Sequence, residues 1–350
     1  MTFATSRRPL AALSALLLGL SLAACSNNDT TTDTPEGESD KKLTIYSGRD
    51  EKLVQPLIDE FSEKSGITVE VRYGKTAEMA AQLIEEGDRS PADLFLAQDA
   101  GALAATSKEG ILTALPSETL DLVDETYRAK DGTWVGVTGR ARVLVYNRDK
   151  VSEGDLPKSV MELTEPKWKG RVGVAPTNAS FQAFVTAMRV EMGDDRTREW
   201  LKALAANEPQ IREKNGAIVS EVADGTLDVG LVNHYYVVES AKEAGKSIDE
   251  FPAALHFFPD GDVGGLINVS GVALVGEQKD GDAQEFIDHV LSKSGQEYFR
   301  EQTGEYPLAG GVDGPEGVPP LKDLQAPDVD LNDLEGLQET VQMISEAGLS

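Results

Sequence analysis

Leu43-Thr44-Ile45-Tyr46-Ser47-Gly48-Arg49-Asp50 starts as a strand and ends as a turn into a helix, and that switch decides the fold. The first four residues have the β-branched and aromatic character of a strand. After Asp50 the apolar residues Leu53, Val54, Leu57, Ile58 and Phe61 recur at i, i+3, i+4, and Gly66 ends the run. The same alternation continues outward from this unit. A strand is predicted over 67–72, a helix over 77–86, a strand over 93–97, and a helix from Ala100 that stops at Gly110. Repeated βα units imply an α/β fold with a largely parallel sheet and helices on both faces.

A second series follows Trp134. It has a strand over 172–175, helices from Ser180, over 196–206 and over 217–223, and strands over 228–232 and 254–258. Two long extended runs, 138–146 and 266–274, have the length to cross between lobes. The helices predicted over 283–291 and 295–303 would then return to the first lobe. The pattern is compatible with two α/β lobes. Lobe 1 is expected over residues 41–139 and 268–310, and lobe 2 over 140–267. A tail over 311–350 carries an amphipathic docking helix near 331–347, with Leu334, Leu337, Val341 and Ile344 on its apolar face.

The N-terminus addresses location. Arg7 and Arg8 precede a short apolar run, and Leu22-Ala23-Ala24-Cys25 follows it. A basic start, a short apolar stretch and small residues before a cut describe a signal peptide over residues 1–24. The run falls short of the roughly 20 residues that span a bilayer as a helix. Cys25, the only cysteine of the chain, sits where a bacterial lipoprotein signal places its acylated residue. More than one acyl chain gives stable anchoring, here to the outer face of the cytoplasmic membrane. Residues 25–40 are polar and aperiodic, and read as a flexible tether.

The net charge is −27, with 60 acidic against 33 basic residues. Nucleic-acid binding needs a basic stripe and is excluded. No Gly-x-Ser-x-Gly elbow, His-Glu-x-x-His pair or phosphate-binding loop occurs, so hydrolase and transferase readings lose their support. What stands out instead is Asn233-His234-Tyr235-Tyr236, two adjacent phenols where an apolar strand (Val229, Leu231, Val232) leaves the sheet. Ligands of open α/β sheets bind at that edge. Phenolate is a hard anionic donor suited to ferric iron; packing tyrosines are the ordinary alternative.

The order of several short segments resembles the bacterial ferric-iron-binding proteins, the iron(III) receptors of ABC importers. They are Tyr46-Ser47-Gly48-Arg49, Ser90-Pro91-Ala92-Asp93, the run from Gly139 to Asn147, Trp168-Lys169-Gly170-Arg171, the run from Pro176 to Phe181, and Asn233 to Tyr236. The resemblance implies the two-lobed periplasmic-binding-protein fold hinged on two crossing strands, and a monomeric, non-enzymatic receptor that delivers Fe(III) to a permease and its ATPase. It implies Tyr235 and Tyr236 as phenolate ligands, with a synergistic anion (carbonate or phosphate) seated by Asn178, Ala179, Ser180, Asn215 and Asn233. Arg49 and Arg140 are candidates to pair with that anion, or to form ordinary salt bridges. His234 reads as structural or as a neighbour of the ligands.

The first lobe departs from the family pattern. Asp50 stands where histidine is common, and reads equally as a hard ligand or as the N-cap of the following helix. Gln98 stands where glutamate is common; being neutral, it suits an anion or water better than iron. These departures keep open the same fold with a different cargo, either phosphate or a cationic organic solute such as thiamine or a polyamine.

Overall fold

The computed structural model describes residues 41–277 and 281–349. The expected signal peptide, the expected tether and Cys25 lie outside the described residues. The opening stretch forms β1 (Lys42–Ser47) and α1 (Glu51–Ser65), followed by β2 (Thr68–Tyr73), α2 (Thr76–Glu86), β3 (Leu94–Ala97) and α3 (Ala100–Lys108). β1 pairs in parallel with both β2 and β3. Val54, Leu57, Ile58 and Phe61 of α1 are buried, as their spacing requires. Gly66 takes the left-handed conformation (φ 73°) that ends the helix.

After β4 (Leu112–Thr113) and the short α4 (Ser117–Leu120) comes β5 (Trp134–Asn147), 14 residues long and buried throughout. At about 3.3 Å per residue it runs for roughly 45 Å, long enough to serve two sheets. Its first half pairs antiparallel with the strand that returns at the end of the second series; its second half enters a new sheet. The series that forms this sheet and its helices is β6 (Val172–Val174), α5 (Ala179–Met192), α6 (Asp194–Ala206), β7 (Gln210–Ile211), α7 (Asn215–Ala223), β8 (Val229–Asn233), α8 (Tyr235–Glu243) and β9 (Ala253–His256). β10 (Ile267–Val275) carries the chain back beside β3 and β5.

The strand path is β2-β1-β3-β10-β5-β8-β6-β7. It is parallel at its flanks and antiparallel through β10 and β5, so the expectation of a largely parallel sheet holds only within each βα series. The reason is topological. A strand that crosses from one lobe and its partner that comes back must run in opposite directions. Where the two cross, Thr138 and Ser270 join hydroxyls at 2.6 Å, and the register slips between Ser270 and Gly271. A Cβ at Gly271 would lie 2.6 Å from Leu103 Cδ1 and 2.8 Å from the Val135 carbonyl oxygen, so only glycine fits the bulge.

α9 (Asp282–Leu291) and α10 (Lys293–Tyr298) follow, then a π-helical turn at Phe299–Thr303 and β11 (Tyr306–Pro307), which pairs with β5. The tail ends in α11 (Leu337–Glu346). The helix starts later than the sequence pattern predicts, because Leu331–Asp333 forms a separate 3-10 turn and Gly336 intervenes. Its docking face is Thr340, Met343 and Ile344, while Val341 is exposed. Among the described residues no helix is long and apolar enough to cross a membrane.

Candidate metal centre

The tyrosine pair begins a helix rather than ending a strand. β8 stops at Asn233, and His234 turns the chain into α8. That turn is held twice by one residue of β5: the His234 backbone N–H donates to the Ala141 carbonyl (3.0 Å), and the Ala141 N–H donates to His234 Nδ1 (3.2 Å). The imidazole stacks on Tyr306 at 4.5 Å. Burial pushes its pKa down to about 4, so the ring is neutral and packs as an aromatic. His234 therefore positions the two tyrosines next to it in the chain.

Tyr235 and Tyr236 occupy the first turn of α8 with their rings stacked at 4.3 Å. Tyr235 is buried, and Tyr236 lines the cleft between the two sheets. Burial raises the Tyr235 phenol well above its ordinary range and the Tyr236 charge adds to this, while Arg140 and Arg49 pull the other way. The helix N-terminus also favours negative charge at this point. A trivalent cation would reverse the balance and displace both phenolic protons.

Within electrostatic reach of the pair is a guanidinium that has no carboxylate partner among the described residues. Arg142 is 1 % exposed, and it lies across the β5–β8 ladder from Asn233. It donates through Nη1 to Ser180 Oγ (3.1 Å) and Asn233 Oδ1 (3.4 Å), and through Nη2 to the Leu231 carbonyl (3.0 Å). Its plane rests near the rings of Phe181 and Phe184. Burial lowers its pKa to about 9, with Tyr236 and Tyr235 acting in the opposite sense. Such a burial is costly without a counter-charge.

The other polar groups predicted for an anion gather around Arg142. Asn178 caps α5, accepting from the Ser180 N–H (3.0 Å) and hydroxyl (2.7 Å). Asn215, the first residue of α7, donates to Ser180 Oγ (3.0 Å) and Asn178 Oδ1 (3.3 Å), and its own Oδ1 is buried without a partner among the described residues. Ala179 opens α5 beside them. Two helix N-termini and a buried arginine thus converge, an arrangement that favours an anion. Sequence reasoning assembled Asn178, Ala179, Ser180, Asn215 and Asn233 but missed Arg142. The signal was there: Arg140 and Arg142 are two apart in a strand, so they share one face.

Arg49 and Arg140 have a different partner. Glu305, wholly buried, accepts a bidentate pair from Arg49 (2.9 and 2.7 Å) and stands 3.8 Å from Arg140 Nε. Of the two expectations for the Arg49 fork, an anion or an ordinary salt bridge, the structure has the salt bridge. Arg140 Nη2 donates to the Val269 carbonyl (3.3 Å).

On the opposite wall Asp50 is exposed and caps α1, accepting from the Lys52 N–H (3.3 Å). Gln98 is half-buried beside it, and its backbone N–H donates to Thr76 Oγ1. Asp99 caps α3. Both Asp50 and Gln98 line the same cleft of about 1110 Å³ as Asn178 and Tyr236. Lys52 crosses it to Glu239, one turn beyond Tyr235, at 3.1 Å. Among the described residues no three His, Cys, Asp or Glu side chains gather as a metal cluster. A metal here would rest on the phenols.

Comparison with known proteins addresses the family of the chain. The family model for bacterial extracellular solute-binding proteins matches residues 89–332. The Fe(3+)-binding periplasmic protein of Serratia marcescens is 34% identical over 313 residues, covering 89% of this chain and 91% of the relative. The major ferric iron-binding protein of Neisseria meningitidis is 34% identical over 314 residues, 88% of this chain and 93% of the relative. Iron-bound HitA from Pseudomonas aeruginosa superposes with a TM-score of 0.82 at 35% identity, over 88% of this chain and 100% of that one. A Trichodesmium protein solved with iron and citrate ligands gives a TM-score of 0.74 at 26% identity, over 88% of this chain and 100% of that one. On these matches and this fold, the chain belongs to the bacterial extracellular solute-binding proteins, within their ferric-iron-binding family.

Proposed function

We propose that this chain binds Fe(III) in its interlobe cleft through the phenolates of Tyr235 and Tyr236, together with an anion seated by Arg142, Ser180, Asn178, Asn215 and Asn233. It hands the ion to the permease of an ABC importer and performs no chemistry on it. A lipid at Cys25 holds it, as a monomer, to the outer face of the cytoplasmic membrane. Carbonate or phosphate suits the anion seat by size and charge, and the citrate of the Trichodesmium structure widens that class.

The observation that carries this reading is one juxtaposition. Two stacked phenols on a helix N-terminus lie within electrostatic reach of a buried guanidinium that no carboxylate among the described residues neutralises. A hard cation with its counter-anion satisfies both halves. Asp50 enters the sphere only if its carboxylate leaves the cap of α1.

A second reading draws on the same arginine. An anion alone, such as phosphate, could occupy the pocket while the tyrosines serve only as walls. Titration with ferric nitrilotriacetate in the presence of bicarbonate or phosphate separates the two. The ferric reading expects a phenolate-to-iron charge-transfer band that disappears in the Tyr235→Phe, Tyr236→Phe double variant. Phosphate binding without colour or iron uptake sinks the ferric reading and leaves the anion one.

A further inference from the structure

The turn from Thr303 to Tyr306 meets the tyrosine-bearing helix α8, His234, Arg49 and Arg140. Gly304 packs against α8 so closely that a Cβ would lie 2.8 Å from Val238 Cγ1 and 3.7 Å from Tyr235 Cβ. Tyr306 stacks on His234. Between them Glu305 is wholly buried, with Oε1 and Oε2 filled by the Arg49 fork and Oε2 also accepting from Thr303 Oγ1 (3.0 Å). Arg49 comes from the loop after β1, and Arg140 from the crossing strand β5. One carboxylate thus gathers two guanidiniums from separate elements and holds both where their charge reaches Tyr235.

Three buried arginines surround the phenols: Arg49, Arg140 and Arg142. Glu305 answers the first two, and Asp99, engaged in capping α3, is the other carboxylate whose charge is felt by Arg140. Arg142 has neither. We propose that Glu305 is a positioning residue of the site: by occupying Arg49 and bracing Arg140 it withholds them from the anion and leaves Arg142 as the cation that receives it. This rests on the anion half of the reading above. The division has a physical motive. Three free guanidiniums would hold a multivalent anion too tightly to release it and would repel the incoming trivalent ion, whereas one gives a single, directed seat.

The charge logic fixes the sign of each substitution. Glu305→Gln keeps the shape and frees the Arg49 fork, so phosphate half-saturation should fall about tenfold. At an effective dielectric near 20, a unit charge within about 10 Å is enough for that factor. Arg49→Gln leaves Glu305 under-compensated, and half-saturation should rise about tenfold. The double variant Arg49→Gln, Glu305→Gln removes both charges and should return to within about twofold of the starting protein.

Calorimetric titration of the metal-free protein and the three variants with inorganic phosphate reads these shifts directly. Repeating it with ferric nitrilotriacetate, and following the charge-transfer band, reads the consequence for iron. Opposite shifts in the single variants, cancelled in the double, are the expected result. Equal half-saturation in all four, shifts of the same sign in both singles, or no phosphate binding in any, overturns the proposal. A merely structural ion pair would weaken binding in both singles alike. If Glu305→Gln fails to fold, Arg49→Gln and the double variant still carry the test. A colourless starting protein with normal phosphate shifts would reject the ferric reading and not this one.

Discussion

Arg142 and Ser180 meet at 3.1 Å beneath the tyrosine pair, a guanidinium donating to a hydroxyl where a carboxylate would be the usual buried partner. A buried cation that settles for neutral acceptors lowers the stability of the fold and so marks a place kept for a ligand. Arg142→Met keeps the length and removes the charge. The metal-free variant should melt at the same temperature or higher, because the uncompensated burial is gone. Phosphate binding should weaken about a hundredfold, from the loss of charge-assisted bonds at about 1.5–3 kcal/mol each. A variant that melts lower and binds phosphate normally would show the arginine to be structural.

His234 gives a pH dependence with a definite sign. Burial depresses its pKa from 6.5 to about 4, so between these values the unfolded chain binds a proton that the native ring refuses. The stability it contributes is therefore fully present above pH 6.5 and is lost as pH falls toward 4. The loss is of order 3 kcal/mol, from about 1.4 kcal/mol per unit. Denaturant midpoints of the metal-free protein should fall across this window. The slope should flatten in His234→Phe, which keeps the stack on Tyr306. An unchanged slope in that variant would assign the acid sensitivity to other groups.

Much of the fold was legible because each βα unit announces itself locally. The buried stripe of α1 and the glycine at its end follow from residue spacing alone. The antiparallel crossing of β5 and β10 was not, since pairing between residues some 130 positions apart leaves no local periodicity. Of the site, the capping residues Asn178 and Asn215 could be placed because helix starts have their own chemistry. Glu305 could not. It sits in a short turn after α10, and only the fold brings it to Arg49. The sequence offered Arg49 an anion or a salt bridge with equal force, and the structure fills its fork with Glu305.

Asp50 separates cap from ligand in one pair of substitutions. Its carboxylate accepts from the Lys52 N–H at the start of α1, a role that asparagine fills equally well. Asp50→Asn should leave the melting temperature unchanged and the half-saturation for ferric nitrilotriacetate within about threefold of its starting value. Asp50→Ala should lower stability by about 1 kcal/mol through loss of the cap. An iron affinity that collapses in Asp50→Asn, with the melting temperature intact, would make this carboxylate a ligand after all.

The C-terminal segment is fastened to helices that belong to different sheets, and one glycine reports on it. Leu331 and Leu334 are buried in the core cluster that contains Ala102 and Leu103 of α3, and Lys108 pairs with Glu335 at 3.0 Å. A few residues on, Arg189 of α5 donates to the Gly336 carbonyl (2.6 Å) and Thr340 (2.9 Å), and Thr186 meets Thr340 at 2.8 Å. α3 follows a strand of the first sheet and α5 a strand of the second. The tightest contact is at Gly101, where a Cβ would stand 2.4 Å from the Leu334 carbonyl oxygen. Backbone cannot step aside as a side chain does, so Gly101→Ala should cost about 1–3 kcal/mol. In a chain of this size that lowers the melting temperature by several degrees, at about 2–4 °C per kcal/mol. Limited proteolysis should cut the segment over residues 321–336 sooner than in the starting protein. Equal cleavage and an equal melting temperature would mean that Leu334 has room to move and that the segment is held from the α5 side alone.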